Sequence, residues 1–232
     1  RRWAVGVTTS PRRLPTLDAC LESLAEVGWD SPRLFVDGDF ELPSRATSCS
    51  RTTHVPALGA WRNYYLAMAE LLRVDAEADG VLIVQDDALW PRGTPLQEYL
   101  RRCTWPTNGA FVISFYCCSD YSAQSIGWRE FDDTWVYGAV ALGFSRAAAE
   151  QFVSDPLVLE RCKDPRSGGV DTVIGEWAAR RQVPVLVPTP SVVQHVGDVS
   201  TLWETSRAVG VRRAARTLAE ALDRSAANAG ES

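Results

Sequence analysis

The chain of 232 residues is 46% hydrophobic and 23% charged, the balance of an ordinary globular protein with length enough for a sizeable core. Its net charge of −5 excludes the basic field that wraps nucleic acid or coats an anionic membrane, so an anionic ligand must be held by local arginine or by a metal. No apolar run approaches the ~18 residues of a membrane span.

Strand and helix alternate through the first part. WAVGVTT (3–9) reads as a strand ending in hydroxyls, followed by a Ser10-Pro11 turn. Leu14, Leu17, Leu21 and Leu24 then recur at helical spacing. RLFVDGD (33–39) is a second strand, closed by Asp37-Gly38-Asp39. From 60 to 73, Trp61, Tyr64, Tyr65, Met68, Leu71 and Leu72 form the stripe of an amphipathic helix. VLIVQ (81–85) follows as a strand apolar on both faces, which a sheet covered by helices on each side requires. This β-α-β-α-β order predicts a doubly wound α/β sheet.

The second part is less regular. Strands are expected at 110–116 and 135–144, with Ser145 capping a helix to about Val153. Residues 161–169 read as a loop, 170–181 as a helix carrying Val170, Val173, Ile174 and Trp177, and 183–197 as a strand region punctuated by proline. The tail from Glu204 is Ala/Arg-rich and helical, and its arginines 207, 212, 213 and 216 suit a solvated face. No internal repeat or long linker appears, so the chain reads as one domain. Its six cysteines form no C-x-x-C pair and no N-x-S/T site occurs, which suits a reducing cytoplasm.

The chemistry concentrates at Asp86-Asp87, at the tip of the 81–85 strand. Two unit charges about 4 Å apart repel by ~1 kcal/mol in water and by roughly 4 kcal/mol at a dielectric of 20. A bound cation offsets that cost; a solvated turn is the plainer account. Strand alternation sends Gln85 and Asp87 to one side and Asp86 to the other. His195, one of two histidines, is either a ligand suited to Mn²⁺ beside carboxylates or a satisfied core residue. Asp171, after Gly168-Gly169, is either a helix N-cap or a general base beside a glycine loop. Arg62 and Asn63 open their helix, where a phosphate or plain solvent would serve them equally. The aromatic-rich stretch 115–135 suits a sugar face or a satellite core. Phosphate-loop, dinucleotide, zinc-protease and nucleophile-elbow signatures are absent.

VGVTTSPRR, VDGD, GAWRNYYLAM, VLIVQDDALW, YGAVALGFSRAAAEQF, GGVDTVIGEW and PSVVQHVG, in this order across residues 3–203, together resemble a nucleotide-sugar-dependent glycosyltransferase of the GT-A fold. The nearest type is the N-acetylglucosaminyltransferase IV group. The resemblance implies a single-domain, Rossmann-like α/β fold over 1–232, its mixed, mostly parallel sheet flanked by helices. Residues 1–110 would be the nucleotide-binding half, 111–203 the acceptor and catalytic half, and 204–232 a C-terminal helix and tail. It implies Thr8 and Thr9 at the base, Asp37 on the uridine, and Arg62 and Asn63 near ribose or diphosphate. Asp87, assisted by Asp86 and His195, would hold Mn²⁺ (or Mg²⁺) on a UDP-sugar, and Asp171 would be the base of an inverting transfer to an acceptor hydroxyl. The family has an acid where this chain has Gln85, which adds no charge. Two rivals stay in view: a sugar-nucleotide-forming nucleotidyltransferase, whose Lys-bearing glycine loop residues 6–13 lack, and a nucleotide-sugar or glycan-binding module without catalysis.

Overall fold

A computed structural model of the chain describes residues 1–91, 109–117, 127–131, 138–164, 169–189 and 191–197. Strands β1 (Trp3–Thr9), β2 (Arg33–Asp37), β3 (Arg51–His54) and β4 (Gly80–Gln85) come first, with α1 (Leu17–Glu26) between β1 and β2 and α2 (Ala60–Val74) between β3 and β4. All four strands run parallel, side by side as β3-β2-β1-β4. Then follow β5 (Ala88–Leu89), β6 (Val112–Ser114), β7 (Gly127–Glu130), β8 (Ala141–Ser145), α3 (Arg146–Ser154), α4 (Pro156–Lys163), α5 (Val170–Arg181), β9 (Val185–Thr189) and β10 (Gln194–His195). β8 inserts antiparallel between β4 and β6, β9 runs parallel to β6, and β7 closes the edge antiparallel to β9. Among the described residues the result is one eight-stranded mixed sheet, β3-β2-β1-β4-β8-β6-β9-β7, with β5 and β10 pairing separately. The doubly wound pattern thus holds for the first half, while the second mixes directions.

Two hydrophobic layers account for this arrangement. Along β4, Val81 and Ile83 join α2, α3 and α5 on one face, whereas Leu82 and Val84 join α1 on the other. A strand apolar at every position is therefore the one that can sit mid-sheet. The first layer centres on aromatics: Phe152 meets Trp177 edge-on with centroids 5.0 Å apart, and Trp61 edge-on at 5.9 Å. The polar edge strand β3, Arg-Thr-Thr-His, alternates exposed and half-buried, so it carries no apolar pattern by which the sequence would reveal it.

Several boundaries move for local reasons. Leu14 is 54% exposed because the helix begins only at Leu17: Pro15 biases the residue before it away from helical geometry. Residues 161–163, expected in a loop, complete α4, which starts with Asp155 accepting from the Leu157 amide at 2.8 Å and Pro156 in its first turn. Ser145 caps α3 as expected, accepting from the Ala148 amide at 3.2 Å. The strand expected over 135–144 is β8, preceded by a turn at Gly138. The helix expected from Glu204, and most of 115–135, lie outside the described residues. No described helix is long and apolar enough to cross a membrane.

Candidate metal and nucleotide site

The chain leaves β1 toward β2 on one side, and returns to place β4 on the other side of β1. Ligands of open α/β sheets bind at the carboxyl ends of strands where the strand order reverses in this way. A small cleft, open to solvent on one side, lies there. Thr8 and Thr9 of β1, Gln85 of β4, Asp37 of β2, and Asn63 of α2 line it, and Val170 of α5 closes it. Parallel pairing sets Thr8 beside Gln85, and the Asp86 amide donates to the Thr8 carbonyl at 3.1 Å.

Beyond Gln85 the ladder ends and the chain turns, so strand alternation no longer governs the two acids. Asp86 and Asp87 are not sent to opposite sides as alternation predicts; both reach one guanidinium. Arg12, from the loop after β1, places Nη2 2.5 Å from Asp86 Oδ1 and Nη1 2.9 Å from Asp87 Oδ2. Thr9 Oγ1 donates to Asp86 Oδ2 at 2.6 Å. On the other flank, pairing of β5 with β10 sets His195 opposite Ala88, and the Val196 amide donates to the Asp87 carbonyl at 2.9 Å. That register brings His195 Nε2 to 3.2 Å from Asp87 Oδ2.

Burial pushes the Asp86 carboxyl above its ordinary range, and the neighbouring charge of Asp87 adds to the rise against the pull of Arg12. Burial pushes Asp87 the same way, but there the hydrogen bond with His195 and the charge of Arg12 outweigh it and hold the carboxyl below its ordinary value. Asp87 Oδ1 is buried and has no hydrogen-bond partner among the described residues. A Cβ on Gly197 would come within 2.5 Å of Asp87 Oδ2 and 2.9 Å of His195 Nε2, so only glycine permits the backbone this close. Among the described residues no group of three His, Cys, Asp or Glu side chains is placed to hold a metal ion. The donor types are nevertheless those a divalent cation takes: carboxylate oxygens and one imidazole, with Asp87 Oδ1 left without a partner among the described residues.

The remaining expected residues separate. Asp37 lines the cleft, yet both its oxygens are engaged, Oδ1 by the Leu58 amide at 2.6 Å and Oδ2 by the Gly59 amide at 2.9 Å. Gly59, at φ +91°, thereby delivers the chain into α2. Asn63 Nδ2 donates to the Phe35 carbonyl at 3.1 Å, while its Oδ1 is buried without a partner among the described residues. Arg62 is not a cleft residue: it donates to the Cys162 and Lys163 carbonyls at 2.9 and 3.1 Å, binding the C-terminal end of α4. Asp171 is not the N-cap of α5, a place taken by Gly169; it lies in the first turn, half-buried, one residue from Val170 in the cleft wall.

Arg12 is the site residue to which the motifs assign no role, although it stands within VGVTTSPRR. Its signal was its place: an arginine just past the carboxyl end of the first strand of a parallel sheet sits at the ligand crevice by topology. The chain matches no protein-family model and no curated protein sequence.

Proposed function

We propose that this protein is a divalent-cation-dependent glycosyltransferase of the GT-A fold, moving a sugar from a UDP-sugar to an acceptor hydroxyl. The observation that carries it is the Asp86–Asp87–His195 constellation beside an open cleft at the point of strand reversal. A bound Mn²⁺ or Mg²⁺ would supply Lewis-acid neutralisation of the leaving diphosphate. Asp86, Asp87 and His195 would hold it.

The cleft wall binds and orients the donor. Thr8 and Gln85 offer hydroxyl and amide groups, and Asn63 Oδ1 is an acceptor with no competing donor among the described residues. With Asp37 committed to two backbone amides, Asn63 Oδ1 is the better-placed acceptor for a base or ribose donor. The acceptor oxygen attacks the anomeric carbon as the bond from that carbon to the diphosphate breaks, and the acceptor proton passes to Asp171. Attack opposite the leaving group inverts the anomeric centre.

Incubation with a UDP-sugar panel, Mn²⁺ and acceptor mixtures tests the reading. Release of UDP with sugar transfer is the expected result. Pyrophosphate-dependent nucleotide exchange would assign nucleotidyl transfer instead, and binding without turnover a binding module. In Asp171→Asn, UDP affinity should stay within about threefold while turnover falls about 10²–10⁴-fold, the usual contribution of a positioned base. Undiminished turnover would reduce Asp171 to an acid at a helix terminus, where its charge suits the dipole.

A further inference from the structure

Arg12 lies between the two acids. Its side chain is 10% exposed, and two of its nitrogens rest on two different carboxylates, at 2.5 and 2.9 Å. It lines the cleft with Asp86, whereas Asp87 and His195 do not, so Arg12 connects them to the open space. The seat is incomplete on both sides. Asp87 Oδ2 takes both Arg12 and His195 while Oδ1 takes nothing among the described residues. Arg12 Nε is likewise buried without a partner there. A buried polar atom left unpaired is costly, so this arrangement is one that a better-matched ligand can replace.

We infer that Arg12 is the resident counter-ion of Asp86 and Asp87, that an incoming divalent cation displaces it, and that its guanidinium then turns to the donor diphosphate. The inference rests on the metal-dependent reading given above. A single positive charge only partly neutralises two carboxylates, whereas a divalent cation does so fully and finds the orphaned Oδ1. The displaced guanidinium stays in the cleft wall, and its planar donor fork matches phosphate oxygens. Without nucleotide, Arg12 competes with the metal; with nucleotide, it favours metal and diphosphate together. The two ligands are thereby coupled, reciprocally, through one side chain.

Titration calorimetry with MnCl₂, with and without UDP, tests this on wild type, Arg12→Met and Arg12→Lys at one pH and ionic strength. Without UDP, Arg12→Met should bind Mn²⁺ about tenfold more tightly, as when a competitor occupies about nine sites in ten. UDP should then tighten Mn²⁺ less in Arg12→Met than in wild type. Thermal melting gives a second readout: Mn²⁺ should raise the melting temperature of Arg12→Met more than that of wild type. If Arg12→Met does not fold, Arg12→Lys decides, since one ammonium cannot span both acids as the fork does; it should bind Mn²⁺ more tightly than wild type. Equal or weaker Mn²⁺ binding in the folded variants, with wild type binding normally, overturns the displacement and leaves the metal site standing. Absence of Mn²⁺ binding in every protein overturns the metal reading as well.

Discussion

Asp87→Asn is expected to lower divalent-supported sugar transfer by about 10³-fold, equivalent to about 4 kcal/mol of transition-state stabilisation. Asparagine keeps the shape but removes the charge from the oxygen that receives Arg12 at 2.9 Å and His195 at 3.2 Å. It also turns one acceptor into a donor facing other donors. Stability should separate the two acids. Asp87 is held below its ordinary value by His195 and Arg12 acting against burial, so its contribution to folding is present above the ordinary carboxylate range. That contribution is lost as pH falls through the folded value. Asp86 has the opposite sign: burial raises it, so folding favours its protonated form, and that contribution is lost as pH rises through the folded value. At pH 7, urea midpoints should therefore fall further for Asp87→Asn than for Asp86→Asn, and the gap should narrow toward about pH 4. Equal midpoints at pH 7 would contradict this division. Wild-type transfer by Asp87→Asn with metal chelated would end the cation-site assignment.

Trp177→Ala should be the most damaging of the core truncations. Trp177 is 1% exposed and packs edge-on against Phe152, and against Phe144 with centroids 6.2 Å apart. Truncating such a residue costs about 3–5 kcal/mol through lost burial and the cavity left behind. For a chain of 232 residues that lowers the melting temperature by about 6–20 °C, at roughly 2–4 °C per kcal/mol. The indole nitrogen is buried with no partner among the described residues, so Trp177→Phe removes no hydrogen bond there. It should cost less than Trp177→Ala, because it removes only part of the ring volume and leaves a smaller cavity. Thermal denaturation of the pair checks both statements; a drop below about 2 °C for Trp177→Ala would mean that α5 does not anchor this layer. Because α5 also carries Val170 and Asp171, loosening it should disturb the cleft wall before the rest of the fold.

The elements that bury an unbroken apolar pattern were legible from residues alone. β1, β4, α2 and α5 all appear within a residue or two of expectation, because their faces must be hidden whatever the connections. β3 and β7 were not, because edge strands hide little and carry no such pattern. α4 was missed for a different reason: its cap and first-turn proline are a short local signal, and few of its residues are buried.

By itself, the sequence determined that an apolar strand ends in two acids, and that an α/β sheet would present its strand tips to a ligand. Only the tertiary structure decided which groups meet there. His195 reaches Asp87 across 108 residues of chain because β10 pairs with β5, a register that no local pattern encodes. Arg12 reaches both acids because β1 and β4 are neighbours and β4 stops at Gln85, releasing the acids from strand alternation. Arg62 and Asp37, polar residues near the same cleft, are engaged instead by the end of α4 and the entry to α2. A side chain's type sets what it can bind; the crossing of distant segments sets what stands within three ångströms of it.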